Sequence, residues 1–259
     1  MQPQLQIQNL SKQFGGIIAV KDLSIDVGEK AIISIIGPNG AGKTTLFNLV
    51  TGFYTPDRGN ILLEGIDLRG FPPHQITRTG IARTFQNIRL FPWMSVRDNI
   101  IVARQIKCSG GILRACFRTP LIRREEKVTQ EKVEEILSYF HLQDKWNYQA
   151  KNLSYGEQRR LEIARALATE PKILLLDEPT AGMNPSESEE CVDLIFNINE
   201  TLGITIILIE HNMNVVMGIS DRISVLDHGM KIAEGTPEEI QSNEDVIRAY
   251  LGEDYGGHA

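Results

Sequence analysis

The chain has 259 residues, of which 42% are hydrophobic and 23% are charged, so it can form one large domain or two smaller ones. Its net charge of −6 makes it a poor candidate for coating nucleic acid, and we expect no nucleic-acid partner. No apolar run approaches the roughly 20 residues of a membrane span, and the N-terminus lacks the pattern of a secretory signal. We therefore expect a soluble, cytoplasmic protein that reaches a membrane only by docking onto another protein.

The cysteines and histidines do not form a recognisable metal or redox motif. The three cysteines match neither a zinc ribbon nor a CxxC pair, and the five histidines are scattered without an HExxH pattern. We expect idle thiols in a reducing compartment and no metal site made of side chains alone. The cysteines are Cys108, Cys116 and Cys191.

The N-terminal part of the chain reads as short strands around one strongly apolar run. Ala31–Ile36 is continuous and rich in β-branched residues, which predicts a strand covered on both faces. A glycine-rich break follows it. The other predicted elements are strands at Leu5–Leu10 and Ala19–Val27, a helix at Lys43–Thr51 and a hairpin around Gly59–Gly65.

The middle of the chain changes to helical patterns, and residues 91–165 are expected to form an inserted helical subdomain. Val96–Ile106 and Arg123–Phe140 have helical spacing, and the second carries a charged face that we interpret as solvated. Cys108–Pro120, between them, reads as an inserted loop.

Strands and helices then alternate, which predicts a mostly parallel sheet and an α/β fold with an antiparallel β subdomain at its N-terminus. A capping box at Thr236–Glu239 predicts a further helix, within a C-terminal hairpin and helix at about residues 230–259. The three later strands are predicted at Ile173–Leu176, Thr205–Ile209 and Ile223–Leu226.

The segment Gly37–Thr44 fits the phosphate-loop pattern G-x-x-x-x-G-K-[ST] between a predicted strand and a predicted helix, which indicates a P-loop NTPase core. Glycines let backbone N–H groups converge on polyphosphate, and the helix N-terminus adds partial positive charge. Lys43 is expected near the β and γ phosphates, and Thr44 offers a hydroxyl to Mg²⁺. The expected nucleotide-binding residues are Gly37, Pro38, Asn39, Gly40, Ala41, Gly42, Lys43, Thr44 and Thr45.

Two acids, Asp177 and Glu178, end the apolar run that begins at Ile173. Consecutive residues on a strand point to opposite faces, so we expect the two carboxylates to have different roles. We assign Asp177 to the shell of Mg²⁺, as at such strand ends in P-loop proteins, and Glu178 to the general base. A strand that merely ends in acids is the alternative, which the upstream phosphate loop disfavours.

The segment Leu153–Arg160 contains a second serine–glycine turn, before a helix predicted at Leu161–Ala168. Such a turn at a helix N-terminus is a second anion site. One chain has no obvious need for two such sites, but two chains arranged head to tail would use both on each nucleotide. We therefore expect this turn to face a nucleotide that is held by a partner chain.

With these segments the chain resembles the ABC ATPase family over nearly its whole length. Its signature segment is similar to the family's LSGGQ, with Tyr155 in place of a glycine and Glu157 in place of the glutamine. These departures resemble the LivG-type ATPases of branched-chain amino acid importers. Further runs shared with that subfamily are Leu161–Leu167, Ala181–Pro185 and Val246–Gly252. A Ras-like GTPase is disfavoured because no NKxD motif is present.

The resemblance implies roles for further residues. Phe14 lies where the family places an aromatic ring against adenine, and Gln86 lies where its Q-loop glutamine reaches Mg²⁺ and water. His211 corresponds to the switch histidine at the γ phosphate, and Asn184 replaces the aspartate common in the D-loop of other branches. The implied catalytic residues are Glu178, His211, Gln86 and Lys43, and the implied metal ligands are Thr44, Gln86 and Asp177. The residues implied to contact the ATP of the partner chain are Ser154, Gly156 and Glu157.

The resemblance implies an ATP-hydrolysing subunit of an importer for branched-chain or other neutral, hydrophobic amino acids. ATP and Mg²⁺ are the implied cofactors. The implied partners are a second ATPase subunit, identical or paralogous, integral membrane permease subunits and, indirectly, a periplasmic binding protein. The implied location is the cytoplasmic face of the plasma membrane, held by the permease. A transporter of urea or short amides, and a soluble ABC ATPase without a transport role, remain alternatives.

The segment Asn87–Asn99 allows two interpretations, a surface for the permease or a filling of the helical subdomain's core. The same choice applies to the insertion at residues 108–120. The apolar residues in question are Leu90, Phe91, Trp93 and Met94.

Overall fold

The structure is a computed structural model that describes residues 3–107 and 120–251. Cys108, Cys116 and nearly all of the predicted insertion lie outside the described residues. Within the described ranges the strands are β1 (Leu5–Phe14), β2 (Ile17–Val27), β3 (Ile32–Ile36), β4 (Arg58–Leu63), β5 (Ile66–Asp67), β6 (Ile81–Arg83), β7 (Ile173–Asp177), β8 (Thr205–Ile209), β9 (Arg222–Asp227) and β10 (Met230–Gly235).

The helices of the same ranges are α1 (Lys43–Val50), α2 (Pro73–Thr79), α3 (Val96–Arg104), α4 (Pro120–Tyr139), α5 (Tyr155–Leu167), α6 (Pro185–Leu202), α7 (Met213–Ile219), α8 (Pro237–Gln241) and α9 (Glu244–Leu251). Short 3₁₀ turns lie at Gln105–Lys107, Gln143–Lys145 and Ala150–Asn152. In the described part of the chain, none of these helices is long and apolar enough to cross a membrane.

The larger sheet has six strands in the order β10-β9-β3-β8-β7-β6. All neighbours pair in parallel except β9 and β10, which form an antiparallel hairpin. Every residue of β3, β7 and β8 is buried. Continuous apolar runs are typical of parallel strands that are covered on both faces, so the predicted α/β fold with a mostly parallel sheet is confirmed.

The smaller, antiparallel sheet has the order β2-β1-β4-β5 and lies over one face of the larger one. Leu5 of β1, Phe47 of α1 and Ile35 of β3 belong to one buried hydrophobic cluster. Helix α1 therefore joins the two sheets, and the loop that precedes it is set into a rigid layer.

Helices cover the opposite face of the larger sheet. Val96 of α3, Val133 of α4 and Leu161 of α5 form one buried cluster with Leu174 and Leu208 of the sheet. Both helices predicted in the inserted segment are present. The first ends at Arg104 in a 3₁₀ turn, and the second begins at Pro120, three residues before the predicted start.

One local prediction was wrong, and two short elements were missed. Helix α5 begins at Tyr155 and not at Leu161, because Ser154 and Glu157 form a capping box at its N-terminus. The predicted turn is therefore the first turn of the helix. Helix α2 and strand β6 were not predicted at all. The capping box predicted at Thr236–Glu239 is confirmed.

The shared core makes a prediction about stability. We expect Leu174→Ala in β7, whose side chain is fully buried, to lower the free energy of unfolding by about 2–5 kcal/mol, because it leaves a cavity in packed surroundings. Urea denaturation followed by circular dichroism measures this change. Ile66→Ala, at a position that is 50% exposed, is the control and should cost much less. Equal losses in the two variants would contradict this description of the core.

Candidate nucleotide-binding and catalytic site

Parallel strands bring the predicted site residues to one edge of the larger sheet. Strands β3, β8, β7 and β6 are consecutive neighbours, and the site segments follow their carboxyl ends. The phosphate loop follows β3 and His211 comes soon after β8, while Glu178 follows β7 and Gln86 comes soon after β6. Ligands of open α/β sheets bind at this edge, and the strand order by itself places these residues next to one another.

Glycines of the phosphate loop pass where no side chain fits. Gly37 has φ 146°, and a Cβ there would lie 2.0 Å from the carbonyl oxygen of Leu226. Gly42 has φ 99°, and a Cβ there would lie 2.4 Å from the carbonyl oxygen of Ala19. A Cβ on Gly40, at the loop's outer turn, would meet no atom within 4 Å. Neighbouring backbone therefore packs closely against the loop at its two ends, whereas the space around its middle is free.

The N-terminus of α1 is suited to an anion. Among the described residues, no side chain caps the helix at Gly42 and its first turn contains no acid. The partial positive charge of the helix end is therefore not neutralised by the protein. Asn39 and Thr44 are exposed beside it and Thr45 is half-buried. Together with the open loop, this end provides a cradle for phosphate groups.

Lys43 is 6% exposed, and its ammonium donates hydrogen bonds to the carbonyl oxygens of Gly37 (2.7 Å) and Pro38 (2.9 Å). Burial lowers the pKa of Lys43, and the carboxylates of Glu178 and Asp177 oppose that shift. The ammonium group therefore bridges two carbonyl groups of its own loop. It also lies close enough to both acids for their charges to affect its pKa.

The two acids at the end of β7 diverge for a reason that the sequence did not show. Strand β7 ends at Asp177, and Glu178 has already left it with φ 49°, in the left-handed region. The predicted alternation along one strand was therefore wrong at Glu178. Its backbone N–H donates to the carbonyl oxygen of Ile209 at 2.8 Å, which ties the turn to the end of β8.

The carboxylate of Glu178 contacts two other predicted site residues. Its Oε1 lies 2.8 Å from Nε2 of His211, and its Oε2 accepts a hydrogen bond of 2.8 Å from Nε2 of Gln86. Glu178 is half-buried, whereas His211 and Gln86 are exposed. The structure thus brings together an acid, an imidazole and an amide at the rim of the site.

Asp177 is paired with a residue that sequence reasoning missed. Its Oδ2 accepts a hydrogen bond of 2.8 Å from Arg83 of β6, and both side chains are 6% exposed. Arg83 also donates to Oδ1 of Asn48 in α1 at 2.7 Å. No sequence pattern indicated this pair, because β6 has only three residues and the partner of Arg83 depends on the pairing of β6 with β7.

A cluster of three or more histidine, cysteine or acidic side chains that could hold a metal is absent from the described residues. Mg²⁺ in nucleotide sites is held by one or two protein ligands together with phosphate oxygens and water. The exposed hydroxyl of Thr44 and the carboxylate of Asp177 are hard oxygen donors of that kind. The residues present therefore fit Mg²⁺ that arrives with a phosphate ligand.

Glu210 is a second residue that the sequence analysis did not assign. It is 3% exposed, and its Oε1 accepts hydrogen bonds from the backbone N–H (2.9 Å) and the hydroxyl (2.6 Å) of Thr180. Its Oε2 accepts hydrogen bonds from the backbone N–H groups of His211 (3.1 Å) and Asn212 (3.4 Å). Glu210 therefore connects the turn after Glu178 with the turn that carries His211.

The serine–glycine segment lies at the exposed start of α5. Oγ of Ser154 accepts from the N–H of Glu157 at 3.4 Å, and the Glu157 carboxylate accepts from the N–H of Ser154 at 3.0 Å. Glu157 is also paired with Lys145. Burial opposes the shift, but the hydrogen bonds from Lys145 and Ser154 lower the pKa of Glu157. Its carboxylate is thus engaged within the chain, while Ser154 stays exposed.

Two departures from the family pattern have local contacts. The hydroxyl of Tyr155 donates to the carbonyl oxygen of Ala181 at 3.0 Å and accepts from Arg159 at 3.4 Å. Asn184 caps α6, because its Oδ1 accepts from the N–H of Glu187 at 3.0 Å. Tyr155 therefore links the start of α5 to the segment before α6, and Asn184 begins that helix.

The segment that carries Gln86 is fastened to α5 by a buried ion pair. Arg159 is fully buried and donates to the carbonyl oxygens of Phe85 (2.8 Å) and Gln86 (3.0 Å) and to Glu162 (2.8 Å). Glu162 accepts in turn from the N–H of Arg89 at 3.1 Å. The backbone around Gln86 is thus fixed to the helix that begins at Ser154, which no sequence pattern indicated.

Phe14 is 41% exposed, with the ring of Tyr54 edge-on at 5.0 Å and Nζ of Lys12 at 5.4 Å from its centroid. The contact of Phe14 with adenine stays a prediction.

In the segment after Gln86, Phe91 and Trp93 are 43% and 71% exposed. Leu90 instead packs against the helical cluster, and Met94 is half-buried. The exposed large apolar side chains of this segment are therefore Phe91 and Trp93.

Comparisons with known proteins agree along the whole chain. The family described as ABC transporter matches residues 20–181, and the family described as branched-chain amino acid ATP-binding cassette transporter matches residues 230–256. The chain is 49% identical over 252 residues to the high-affinity branched-chain amino acid transport ATP-binding protein LivG of Salmonella typhimurium, covering 97% of this chain and 99% of that protein. It is 47% identical over 251 residues to BraF of Pseudomonas aeruginosa, which has the same description, covering 97% and 98%.

Solved structures of similar shape are ATP-binding cassettes. The ADP conformation of MJ1267, an ATP-binding cassette of an ABC transporter, has a TM-score of 0.84 at 32% identity and covers 97% of this chain and 100% of that chain. The dimeric structure of MJ0796, a bacterial ABC transporter cassette, has a TM-score of 0.76 at 26% identity and covers 90% and 98%.

The buried pair of Arg83 and Asp177 makes a prediction. We expect Arg83→Met to lower the free energy of unfolding by about 3–5 kcal/mol, because it leaves the Asp177 carboxylate buried without its partner. Urea denaturation at neutral pH measures the loss. The matched control is Arg69→Met, which removes the exposed pair of Arg69 with Asp67 and should have a far smaller effect. A loss in Arg83→Met as small as in the control would contradict the pairing.

Proposed function

The chain belongs to the ABC transporter family as an ATP-hydrolysing, ATP-binding subunit of the LivG type, and from this premise we propose that it drives the import of branched-chain or other neutral, hydrophobic amino acids. Support for the cargo comes from the names of the relatives and from the match at residues 230–256. The contact of Glu178 with both His211 and Gln86, beside the phosphate loop, carries the proposed mechanism.

In this proposal the phosphate loop and the N-terminus of α1 bind the triphosphate of ATP. Backbone N–H groups between Gly37 and Thr45 surround the phosphates, and Lys43 exchanges its bonds to loop carbonyls for bonds to phosphate oxygens. Phe14 stacks on adenine, which adds about 1–3 kcal/mol if stacking on nucleobases is a guide. Thr44 and Asp177, with Gln86, would hold Mg²⁺, whose charge neutralises that of the phosphates.

Glu178 is the proposed general base. Before ATP binds, Gln86 and His211 hold the carboxylate in place, and in the reaction one of its oxygens accepts a proton from the attacking water. His211 is exposed at the rim, and in this proposal its Nε2 exchanges the contact with Glu178 for one with the γ phosphate once ATP occupies the loop. The left-handed backbone at Glu178 is what turns its carboxylate away from Asp177 and toward this rim.

A second subunit completes each site in this proposal. Ser154, at the exposed N-terminus of α5, and Gly156 bind the γ phosphate held by the partner's phosphate loop. Glu157 supports that turn through its capping bonds. Dimeric cassettes among the similar structures support this arrangement. ATP drives closure only because it binds the closed pair better than the open one. The partner is an identical or a paralogous chain.

The proposed route to the permease begins at Gln86. Arg159 bonds to the carbonyl oxygens of Phe85 and Gln86, so a movement at Gln86 is carried into α5. The exposed Phe91 and Trp93 lie on the same segment and form the proposed contact with the permease. The subunit is thereby held at the cytoplasmic face of the plasma membrane, and a periplasmic binding protein acts only indirectly.

We expect Glu178→Gln to bind ATP with unchanged affinity and to lose turnover, because the amide cannot accept the proton of the attacking water. The variant should also accumulate as a closed dimer when ATP and Mg²⁺ are present. Phosphate release and size-exclusion chromatography measure the two effects. Glu135→Gln, at an exposed position of α4, is the control and should behave like the unaltered chain. Normal turnover in Glu178→Gln would contradict the assigned base.

The cargo is tested separately in proteoliposomes that contain the chain, its co-purifying permease and the corresponding binding protein. We expect ATP-dependent accumulation of leucine, isoleucine or valine, and none of urea. Because the ATPase does not touch the cargo, this test depends on the permease and binding protein rather than on the ATPase site. Uptake of urea alone, or purification without any membrane protein, would contradict the proposed cargo and leave the hydrolysis mechanism intact.

A further inference from the structure

Glu210 lies between the two turns that carry the proposed base and the proposed switch histidine. It directly follows β8 and directly precedes His211, and it reaches Thr180, which is two residues beyond Glu178. One carboxylate oxygen accepts two hydrogen bonds from Thr180, and the other accepts from the N–H groups of His211 and Asn212. Each oxygen therefore serves a different turn.

The chemistry of these contacts explains why a carboxylate is needed. All four donor groups are neutral, and Glu210 is 3% exposed, so within the described part of the chain its burial is compensated by these hydrogen bonds rather than by an ion pair. An ionised carboxylate is purely an acceptor and can direct both oxygens at N–H and O–H groups. A glutamine of the same size would direct an NH₂ group at one pair of donors, so it would satisfy only one of the two turns.

The turn after β7 needs this support. Glu178 has φ 49°, and a non-glycine residue in the left-handed region is maintained only where its surroundings fix it. Two links between the ends of β7 and β8 do so: the bond from the N–H of Glu178 to Ile209, and the bonds from Thr180 to Glu210. Glu178 and His211, whose side chains are 2.8 Å apart, are themselves part of these turns: Glu178 donates one link, and His211 directly follows Glu210.

We propose that Glu210 is a positioning residue whose carboxylate sets the distance between the turns of Glu178 and His211 and thereby aligns the two for hydrolysis. This inference rests on the proposed roles of those two residues. Glu210 itself touches neither nucleotide nor water in the reaction. Its loss should therefore reduce the rate of the chemical step and leave the binding of ATP at the phosphate loop unchanged.

A matched pair of threonines provides the test. Thr180 donates its hydroxyl to Glu210 at 2.6 Å, and Thr205 donates its hydroxyl to Gln4 at the same 2.6 Å. Both threonines are buried, but Thr205 begins β8 and so lies at the opposite edge of the sheet. Thr180→Val and Thr205→Val thus each remove a buried hydroxyl and its hydrogen bond to a side-chain oxygen, one beside the site and one far from it. Thr205→Val also removes the acceptor of the Lys30 N–H, which makes it a stringent control for lost stability.

We expect Thr180→Val and Glu210→Gln in the full chain to lower kcat about tenfold or more while KM for ATP changes less than about twofold. Thr180→Ser, which keeps the hydroxyl, should retain nearly full kcat. Thr205→Val should lower Tm without lowering kcat. ATPase kinetics, ATP binding and thermal unfolding are measured on all four variants, and Thr180→Val remains informative if Glu210→Gln does not fold.

An unchanged kcat in Thr180→Val would overturn the inference, and so would losses of kcat in Thr180→Val and Thr205→Val that simply follow their losses in Tm. A rise in KM with unchanged kcat would overturn it as well, because it would indicate a role in binding. Glu178→Gln, assayed in parallel, separates this inference from the proposed function. Normal turnover in that variant would reject the assigned base, whereas an inactive Glu178→Gln beside a fully active Thr180→Val would reject only the role of Glu210.

Discussion

The position of one carboxylate determines most of this site. Glu178 must leave β7 in a left-handed turn so that its two oxygens meet His211 on one side and Gln86 on the other. These residues come from three parallel strands that are adjacent in the sheet. The phosphate loop follows the next strand, β3, and its lysine is close enough for the charges of Glu178 and Asp177 to influence its pKa. A shift in the register of β7 by one residue would displace the turn at Glu178 from the ends of β6 and β8 and separate the whole set.

The buried charged residues at the carboxyl edge of the larger sheet mainly connect separate segments, and they contribute less to the free energy of folding. Arg83 joins β6 to Asp177, Arg159 joins α5 to the backbone at Gln86, and Glu210 joins the turns after β7 and β8. Burying such groups costs desolvation free energy that their partners only partly offset. What they provide is a defined geometry, because each can be satisfied only when two separate segments are correctly placed. Removing one partner leaves a buried charge and loosens both segments.

The sequence predicted those parts of the structure that depend on local pattern. The run before Gly37 and the phosphate loop allowed β3 and α1 to be placed correctly, since buried parallel strands and glycine-rich turns have distinct compositions. Strand β6 has three residues and α2 has seven, too few for either periodicity to be visible. The start of α5 was misplaced because Gly156 was read as part of a turn, whereas Ser154 and Glu157 form a capping box around it.

The partners of buried charged residues could not be predicted, because they follow from strand pairing and helix packing rather than from sequence distance. Arg83 and Asp177 are 94 residues apart, and Arg159 and Phe85 are 74 residues apart. The turn at Glu178 could not be predicted either. Alternation along a strand gave a plausible but incorrect reason for the divergence of Asp177 and Glu178. Motifs identified which residues matter, and only the fold showed how they are held.

The departures at Tyr155, Glu157 and Asn184 can now be understood by what each side chain contacts. Glu157 and Asn184 cap helices, and the capping bonds engage the carboxylate of Glu157 and the side-chain oxygen of Asn184. Tyr155 reaches from the first turn of α5 to the carbonyl oxygen of Ala181, a contact that a glycine could not make. It also accepts a hydrogen bond from Arg159, which holds the backbone of Gln86. Tyr155 and Arg159 of α5 therefore connect three parts of this chain, which are the exposed turn at Ser154, the segment at Ala181 and the segment at Gln86. None of the three can move far without the others.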